Sequence, residues 1–271
     1  MKARYGHGTR NDFFLIEALG EDEGVDLTPA QIARICNRND GAQGGDRTGA
    51  DGVIIIRKRD GKWFMDYRNS DGSLAEMCGN GIRVMARYLV QHDLQGEGIF
   101  PINTRAGMRY LAVPKEEDIS VNMGKVEQFY GEIEVTVGDK KWRGYNINVG
   151  NPHAVVFVDD LADAGDLKSA PYVEPEDEYP EGVNVEFVKI LENGELAMRV
   201  HERGSGETQS CGTGTCAVAL AASIHARKNL PARWVINPPG GRLVVELDGH
   251  SNATLIGPAL LFNEVELDTF L

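Results

Sequence analysis

Two cysteines of this chain stand in one and the same short pattern. Cys78-Gly79-Asn80-Gly81 and Cys211-Gly212-Thr213-Gly214 each place a thiol before Gly-X-Gly and a helix-forming stretch. The unpaired N–H groups of a helix start bind anions and, with the local dipole, lower the pKa of a nearby thiol. The glycines let a ligand approach the backbone closely. A substrate carboxylate would rest on the amides of Gly79 and Asn80, while Gly212 and Thr213 serve the same ligand from its other side. Matched thiols on opposite sides suit a two-base reaction. A thiolate on one face removes a proton from carbon, a thiol on the other face returns one, and the carbon inverts. Nucleophilic thiol chemistry needs one cysteine and a base such as histidine. Zinc sites use local Cys-X-X-Cys pairs, which neither motif contains. The other two cysteines, Cys36 and Cys216, lie among apolar neighbours and read as core residues.

The polar residues near the motifs fit the same chemistry. Glu202 and Arg203 precede Cys211 in His201-Glu202-Arg203-Gly204-Ser205-Gly206-Glu207-Thr208. Arg203 can pair bidentately with a carboxylate. Glu202 can hold an ammonium group or tune proton transfer. Asn151-Pro152-His153 precedes a strand, which puts its side chains at an edge or loop, and Asn11, Asn69 and Asn184 fall at strand starts or ends. Singly these residues are ordinary: a turn asparagine, a packed histidine, a surface ion pair. Their symmetric placement about the cysteines sets them apart. An α-hydrogen between carboxylate and ammonium is very weakly acidic. The developing carbanion therefore needs fixed dipoles in a dry site, which a closing cleft supplies. The Gly-X-Gly segments lack the spacing of a dinucleotide fingerprint, and no phosphate-loop Lys-Ser/Thr is present. The lysines are poorly placed for a pyridoxal Schiff base. Neither a cofactor nor a metal is expected.

An internal repeat accounts for how these residues are positioned. With Cys78 laid on Cys211, residues 53–56 fall on 186–189, Asn69 on Glu202, and Gly107 with its strand on Gly240, without a gap. Asn11-Asp12-Phe13-Phe14 then falls on Asn151-Pro152-His153-Ala154 after one gap. Two halves of similar strand–helix–strand order imply two similar domains facing each other across a cleft, one of residues 1–116 with 262–271 and one of residues 117–261. Apolar runs at 53–56, 108–113, 154–158, 185–190, 196–200, 234–236 and 243–247 read as strands. Thr28 caps a helix opened by Pro29 and running to Cys36. Residues 82–91 and 216–228 are the two clearer helices, the second alanine-rich and suited to close packing. The fold class is α/β (α+β), with a mixed or antiparallel sheet around a central helix in each half. Residues 37–48, dense in Gly, Asn and Asp, read as a mobile loop, and the acidic run 174–181 as a solvated one.

Composition bounds what remains. The chain has 271 residues, 42% of them hydrophobic, and 41 Asp+Glu against 28 Lys+Arg give a formal net charge of −13. That length allows one large domain or two of ordinary size. Four cysteines are too few for a disulfide scaffold. The negative charge opposes non-specific nucleic-acid binding. No apolar run approaches the ~18 residues of a membrane span, and residues 1–16 lack a signal-peptide core. A cytosolic setting with reduced cysteines is expected, with a small molecule as partner rather than nucleic acid or membrane, and the charge does not exclude an acidic one because local arginines can overrule the global field.

The motifs together resemble the diaminopimelate epimerase family. The matching segments are Asn11-Asp12-Phe13, Gly49-Ala50-Asp51-Gly52, Asn69-Ser70-Asp71-Gly72-Ser73, Glu76-Met77-Cys78-Gly79-Asn80-Gly81-Ile82-Arg83, Gly150-Asn151-Pro152-His153, Glu202-Arg203-Gly204-Ser205-Gly206-Glu207-Thr208 and Ser210-Cys211-Gly212-Thr213-Gly214. They run in family order over essentially the whole chain. The resemblance implies two similar α/β domains, a homodimer, and interconversion of LL- and meso-2,6-diaminoheptanedioate without cofactor or metal. The product would feed lysine and, in many bacteria, peptidoglycan synthesis. It implies that Cys78 and Cys211 are the acid/base pair, Cys211 taking the proton of the LL substrate and Cys78 returning one. His153 and Glu202 match the auxiliary catalytic positions. Asn11, Asn69, Asn151, Asn184, Glu202 and Arg203 match substrate-binding positions, with Gly79, Asn80, Gly212 and Thr213 contributing chiefly backbone amides. Two departures stand out: Val84 replaces a further cysteine of many members, and the 37–48 tract is longer than is typical. Three rivals are a proline-type racemase, an amino-acid-binding protein that has lost turnover, and a cysteine hydrolase using Cys78 and His153. The asparagine and arginine set favours a long dicarboxylate, and the hydrolase would leave Cys211 and the repeat without a role.

Overall fold

The computed structural model describes residues 1–20, 24–129 and 131–271. The chain divides into two compact units, Met1–Val121 with Gly257–Leu271, and Asn122–Ile256.

The first unit begins with β1 (Lys2–Gly8), β2 (Asn11–Ala18), α1 (Pro29–Cys36) and a small hairpin of β3 (Gln43–Gly44) and β4 (Arg47–Thr48). It continues with β5 (Gly52–Arg59), β6 (Lys62–Asn69), α2 (Gly79–Gln91), β7 (Gly98–Thr104), β8 (Gly107–Val113) and the start of β9 (Ile119–Lys125). Neighbouring strands pair antiparallel except at β2–β5 and β6–β7, which run parallel. Parallel neighbours need a crossover, and α1 and α2 lie within the two that occur.

The second unit contains β10 (Glu127–Gln128), β11 (Ile133–Val137), β12 (Lys140–Asn148), β13 (Pro152–Phe157), β14 (Tyr172–Glu174), β15 (Asn184–Ile190), β16 (Leu196–Glu202) and β17 (Gly206–Thr208). After these come α3 (Gly212–His225), β18 (Ala232–Asn237), β19 (Leu243–Leu247) and β20 (Asn252–Gly257). The order β12–β13–β15–β16–β18–β19–β20 repeats β1–β2–β5–β6–β7–β8–β9, with its parallel steps, β13–β15 and β16–β18, at the same two places. After β20 comes β21 (Leu260–Glu266), which pairs antiparallel with β1 of the first unit, and then a 3-10 turn, Asp268–Phe270.

Each unit wraps its sheet around a helix. Every residue of α2 from Gly79 to Leu89 is buried, and so are Gly212 and all residues from Gly214 to Ser223 in α3. A helix buried on every face has no solvent side and must be surrounded. The four alanines of α3 keep it thin enough for that. Phe14, Ile32, Ile35, Val53 and Ile55 anchor one core cluster in the first unit, Val135, Val156, Val185 and Phe187 another in the second. Cys36 belongs to the first of these cores, and Cys216 is fully buried.

Some details differ from the sequence expectation. α2 starts at Gly79 and α3 at Gly212, about a turn before residues 82 and 216, because the cysteines themselves cap the helices. α3 stops at His225 instead of 228. The 37–48 tract is not a free loop. It holds the β3–β4 hairpin, and Arg38 and Arg47 both reach the buried Asp12. Strands such as β1 and β12 carry too many Lys, Arg and Asn residues to stand out as apolar runs. The acidic run is exposed around a short 3-10 turn, Glu176–Glu178, with Tyr179 buried beside it. Among the described residues no helix is long and apolar enough to cross a membrane.

Candidate active site

Cys78 and Cys211 occupy the same local position in their units. Each is the N-cap of its helix with extended backbone, φ −134° and ψ 121° at Cys78, φ −116° and ψ 119° at Cys211. Each sulfur accepts a hydrogen bond from the third residue on, Gly81 N–H and Gly214 N–H, both at 3.4 Å. The thiol thus stands where helices more often use a serine or aspartate oxygen.

Around Cys78, the carboxamide of Asn11 is the near neighbour. The Cys78 thiol donates to Asn11 Oδ1 at 3.3 Å, and Asn80 Nδ2 donates to the same oxygen at 3.3 Å. Asn80 is fully buried, and its own oxygen accepts from Arg83 Nη2 at 2.8 Å. Its side chain therefore fastens the first turn of α2. Asn69, at the end of β6, donates to Ser73 Oγ at 3.0 Å across the turn that follows.

Around Cys211, a chain of polar groups runs inward. Thr213 Oγ1 lies 3.5 Å from the sulfur and accepts from Asn151 Nδ2 at 3.4 Å. Asn151 Oδ1 is 3.1 Å from His153 Nε2, and His153 Nδ1 is 2.7 Å from Glu186 Oε1. His153 and Glu186 are both fully buried. The sequence reading placed the His153 side chain at an edge or loop, whereas β13 turns it into the interior. Glu202, the last residue of β16, accepts from the Thr208 hydroxyl. Asn184 does not reach the sulfur. It donates to the Pro152 carbonyl at 3.0 Å and accepts from the Arg203 amide at 2.9 Å, clasping the two segments that carry Asn151 and Arg203. The exposed Arg203 guanidinium rests 3.4 Å from the Glu181 carboxylate.

The electrostatics of Cys211 run against the simple helix-start argument. Burial pushes its thiol well above the ordinary range, and the negative charges of Glu202 and Glu186 push the same way. The bonds from Thr213 and Gly214 oppose this and are outweighed. In the free protein Cys211 is therefore a thiol, not a thiolate. Among the described residues no group of three or more His, Cys, Asp and Glu side chains is placed to hold a metal ion.

The sequence matches the diaminopimelate epimerase family over residues 4–129 and 145–261. The chain belongs to the diaminopimelate epimerase family. It is 44% identical to the diaminopimelate epimerase of Streptomyces coelicolor, over 97% of this chain and 94% of that protein. The diaminopimelate epimerase of Thermobifida fusca is 39% identical, over 97% of each. In fold the chain is similar to the Bacillus anthracis phenazine biosynthesis protein of the PhzF family, with a TM-score of 0.73 at 14% identity and 97% of both chains covered.

For a diaminopimelate epimerase family member, two residues beside the cysteines escaped the sequence reading of the site. Glu186 falls on Val53 in the repeat, so an acid occupies a position that its counterpart fills with an apolar side chain. Asp51 was quoted only as part of a motif, yet its Oδ2 accepts from Asn11 Nδ2 at 2.7 Å, one step from the Cys78 sulfur.

Proposed function

We propose that the protein epimerises LL-2,6-diaminoheptanedioate to the meso form by a two-thiol mechanism. The observation that carries this is the matched N-cap position of the two cysteines, each capping the buried helix of its own unit. In the LL direction the Cys211 thiolate takes the α-proton and the Cys78 thiol delivers a proton to the opposite face. Afterwards Cys211 is the thiol and Cys78 the thiolate, so the return reaction exchanges the roles. Before substrate arrives Cys211 is held protonated by burial and by Glu202. The substrate ammonium beside Glu202 would cancel part of that field and release the proton. His153 is held rigidly by Glu186 and Asn151. Asn11, Asn69, Asn151, Asn184 and Arg203 would bind the substrate, together with the amides of Gly79, Asn80, Gly212 and Thr213. We further take the enzyme to be a cytosolic homodimer, on the strength of its family membership, which light scattering of the purified protein would check.

The test is incubation of the reduced protein with the LL substrate in deuterated water, reading stereochemistry and Cα deuterium together. Meso product carrying deuterium is expected. No exchange, with the thiols shown to be free, would overturn the reading and direct the search to another amino acid.

A further inference from the structure

The carboxamide of Asn11 is fixed in one sense. Its Nδ2 faces Asp51 Oδ2 at 2.7 Å, and its Oδ1 faces the Cys78 thiol at 3.3 Å. A carboxylate only accepts hydrogen bonds, so it selects the amino end of the amide and leaves the oxygen for the sulfur. Asp51 is itself held. Arg38 Nη2 bonds Asp51 Oδ1 at 2.5 Å and Asp12 Oδ1 at 2.6 Å, and the Asp51 and Asp12 backbone amides bond each other's carboxylates at 3.0 and 3.2 Å. Asp12 also takes Arg47 and the Tyr5 hydroxyl. This cluster comes from Asn11-Asp12-Phe13, Gly49-Ala50-Asp51-Gly52 and the 37–48 tract, which no other part of the site explains.

Among the described residues the second unit shows no such device. Asn151, the counterpart of Asn11 in the repeat, is turned by His153 and offers its amino end toward Thr213. At the repeat offset Asp51 falls on Asn184, whose amide holds backbone instead. The two asparagines thus present opposite ends toward their cysteines.

We propose that Asp51 is a positioning residue for Cys78, acting through Asn11. By holding the Asn11 oxygen toward the sulfur, it favours the protonated thiol at Cys78 and keeps that cysteine ready to deliver a proton. This rests on the two-thiol reading. The charged groups facing the assembly are Asp12 on β2, Arg38 after α1, Arg47 on β4 and Arg83 on α2, with Tyr5 and His7 of β1 the remaining titratable neighbours. Asp51 differs from all of them in touching the amide that touches the thiol.

The test measures the pH dependence of iodoacetamide alkylation at Cys78 in the intact protein, resolved by peptide mass spectrometry. Cys36 and Cys216, both buried, report folding by staying unreactive. Four chains are compared: wild type, Asp51→Asn, Asn11→Ala and the double variant. Asp51→Asn is expected to lower the Cys78 midpoint by about one pH unit, since the amide is then free to turn and donate to the thiolate. In the Asn11→Ala background the same change is expected to do far less. An equal shift in both backgrounds would mean that Asp51 acts by charge alone, and no shift in the single variant would mean that it does not act on Cys78. Either result overturns the proposal. If Asp51→Asn exposes Cys36 or Cys216, Asp51→Glu replaces it, keeping the charge and moving the carboxylate, with the same comparison deciding. No substrate enters the measurement, so its outcome is separate from that of the deuterium experiment.

Discussion

Cys78 and Cys211, the two thiols proposed to react, are both helix caps that accept a backbone amide. Cys78→Ala and Cys211→Ala should each lower the epimerisation rate by about 10²–10⁴-fold, the usual worth of an acid/base group, with an unchanged circular dichroism spectrum. Full activity in either variant would remove the two-thiol mechanism. Glu202→Gln should lower the pH midpoint of Cys211 alkylation, because a neighbouring negative charge that raises the thiol is removed while burial remains. A midpoint that stays or rises contradicts that. The cysteines were legible in the sequence because their chemistry is local: thiol, glycines and helix start are consecutive. Glu186 and Asp51 were not, because their partners lie on neighbouring strands at distant positions. An acid at the position that the other half of the repeat fills with Val53 was the available signal for Glu186.

At the scale of elements, the two helix starts look alike in sequence but tolerate change differently. A methyl at Gly81 would meet Ile54 Cδ1 at 3.1 Å and Phe13 Cζ at 3.3 Å, whereas one at Gly214 would lie 2.5 Å from Glu186 Oε1. Gly214→Ala must therefore push Glu186 away from His153. We expect it to cost about 1–3 kcal/mol and to cut activity more than Gly81→Ala, read by urea unfolding and by turnover. In β6, the buried Asp66 carboxylate is bonded by Arg57, Arg68 and Arg105. Burial alone would raise it, but the three guanidinium bonds hold it well below the usual carboxylate range. A carboxyl whose folded pKa lies below its unfolded one adds stability above the unfolded value and loses it as pH falls through the folded one. Asp66→Asn should cost about 3 kcal/mol at pH 7, and its unfolding free energy should fall less steeply than wild type below about pH 4. Strands of apolar runs, such as β5 and β19, were legible. β12 was not, since the exposed Lys140, Lys141 and Arg143 and the inward Asn146 interrupt any apolar run.

At the scale of the molecule, each unit has its own hydrophobic cluster, and stability should be lost unit by unit. Phe187 is fully buried within the second cluster. Phe187→Ala should cost about 3–5 kcal/mol and should lower hydrogen-exchange protection in residues 122–256 before it does so in residues 1–121. Uniform loss of protection would argue for a single cooperative block. The repeat made the doubling of the fold legible, because equivalent strands and helices keep one spacing. The pairing of β21 with β1 was not written in any local motif, since it joins residues from the two ends of the chain. It has a consequence for synthesis. A ribosome delivers β1 first and its partner β21 last. The contiguous stretch from Asn122 to Ile256 emerges in full while the earlier-made unit still lacks its closing strand. The ordinary amino-to-carboxyl order of folding on the ribosome is thus inverted. Until β21 emerges, the edge of β1 that it covers is unpaired, and the cationic Lys2 and Arg4 are the side chains on it best suited to discourage a wrong neighbour.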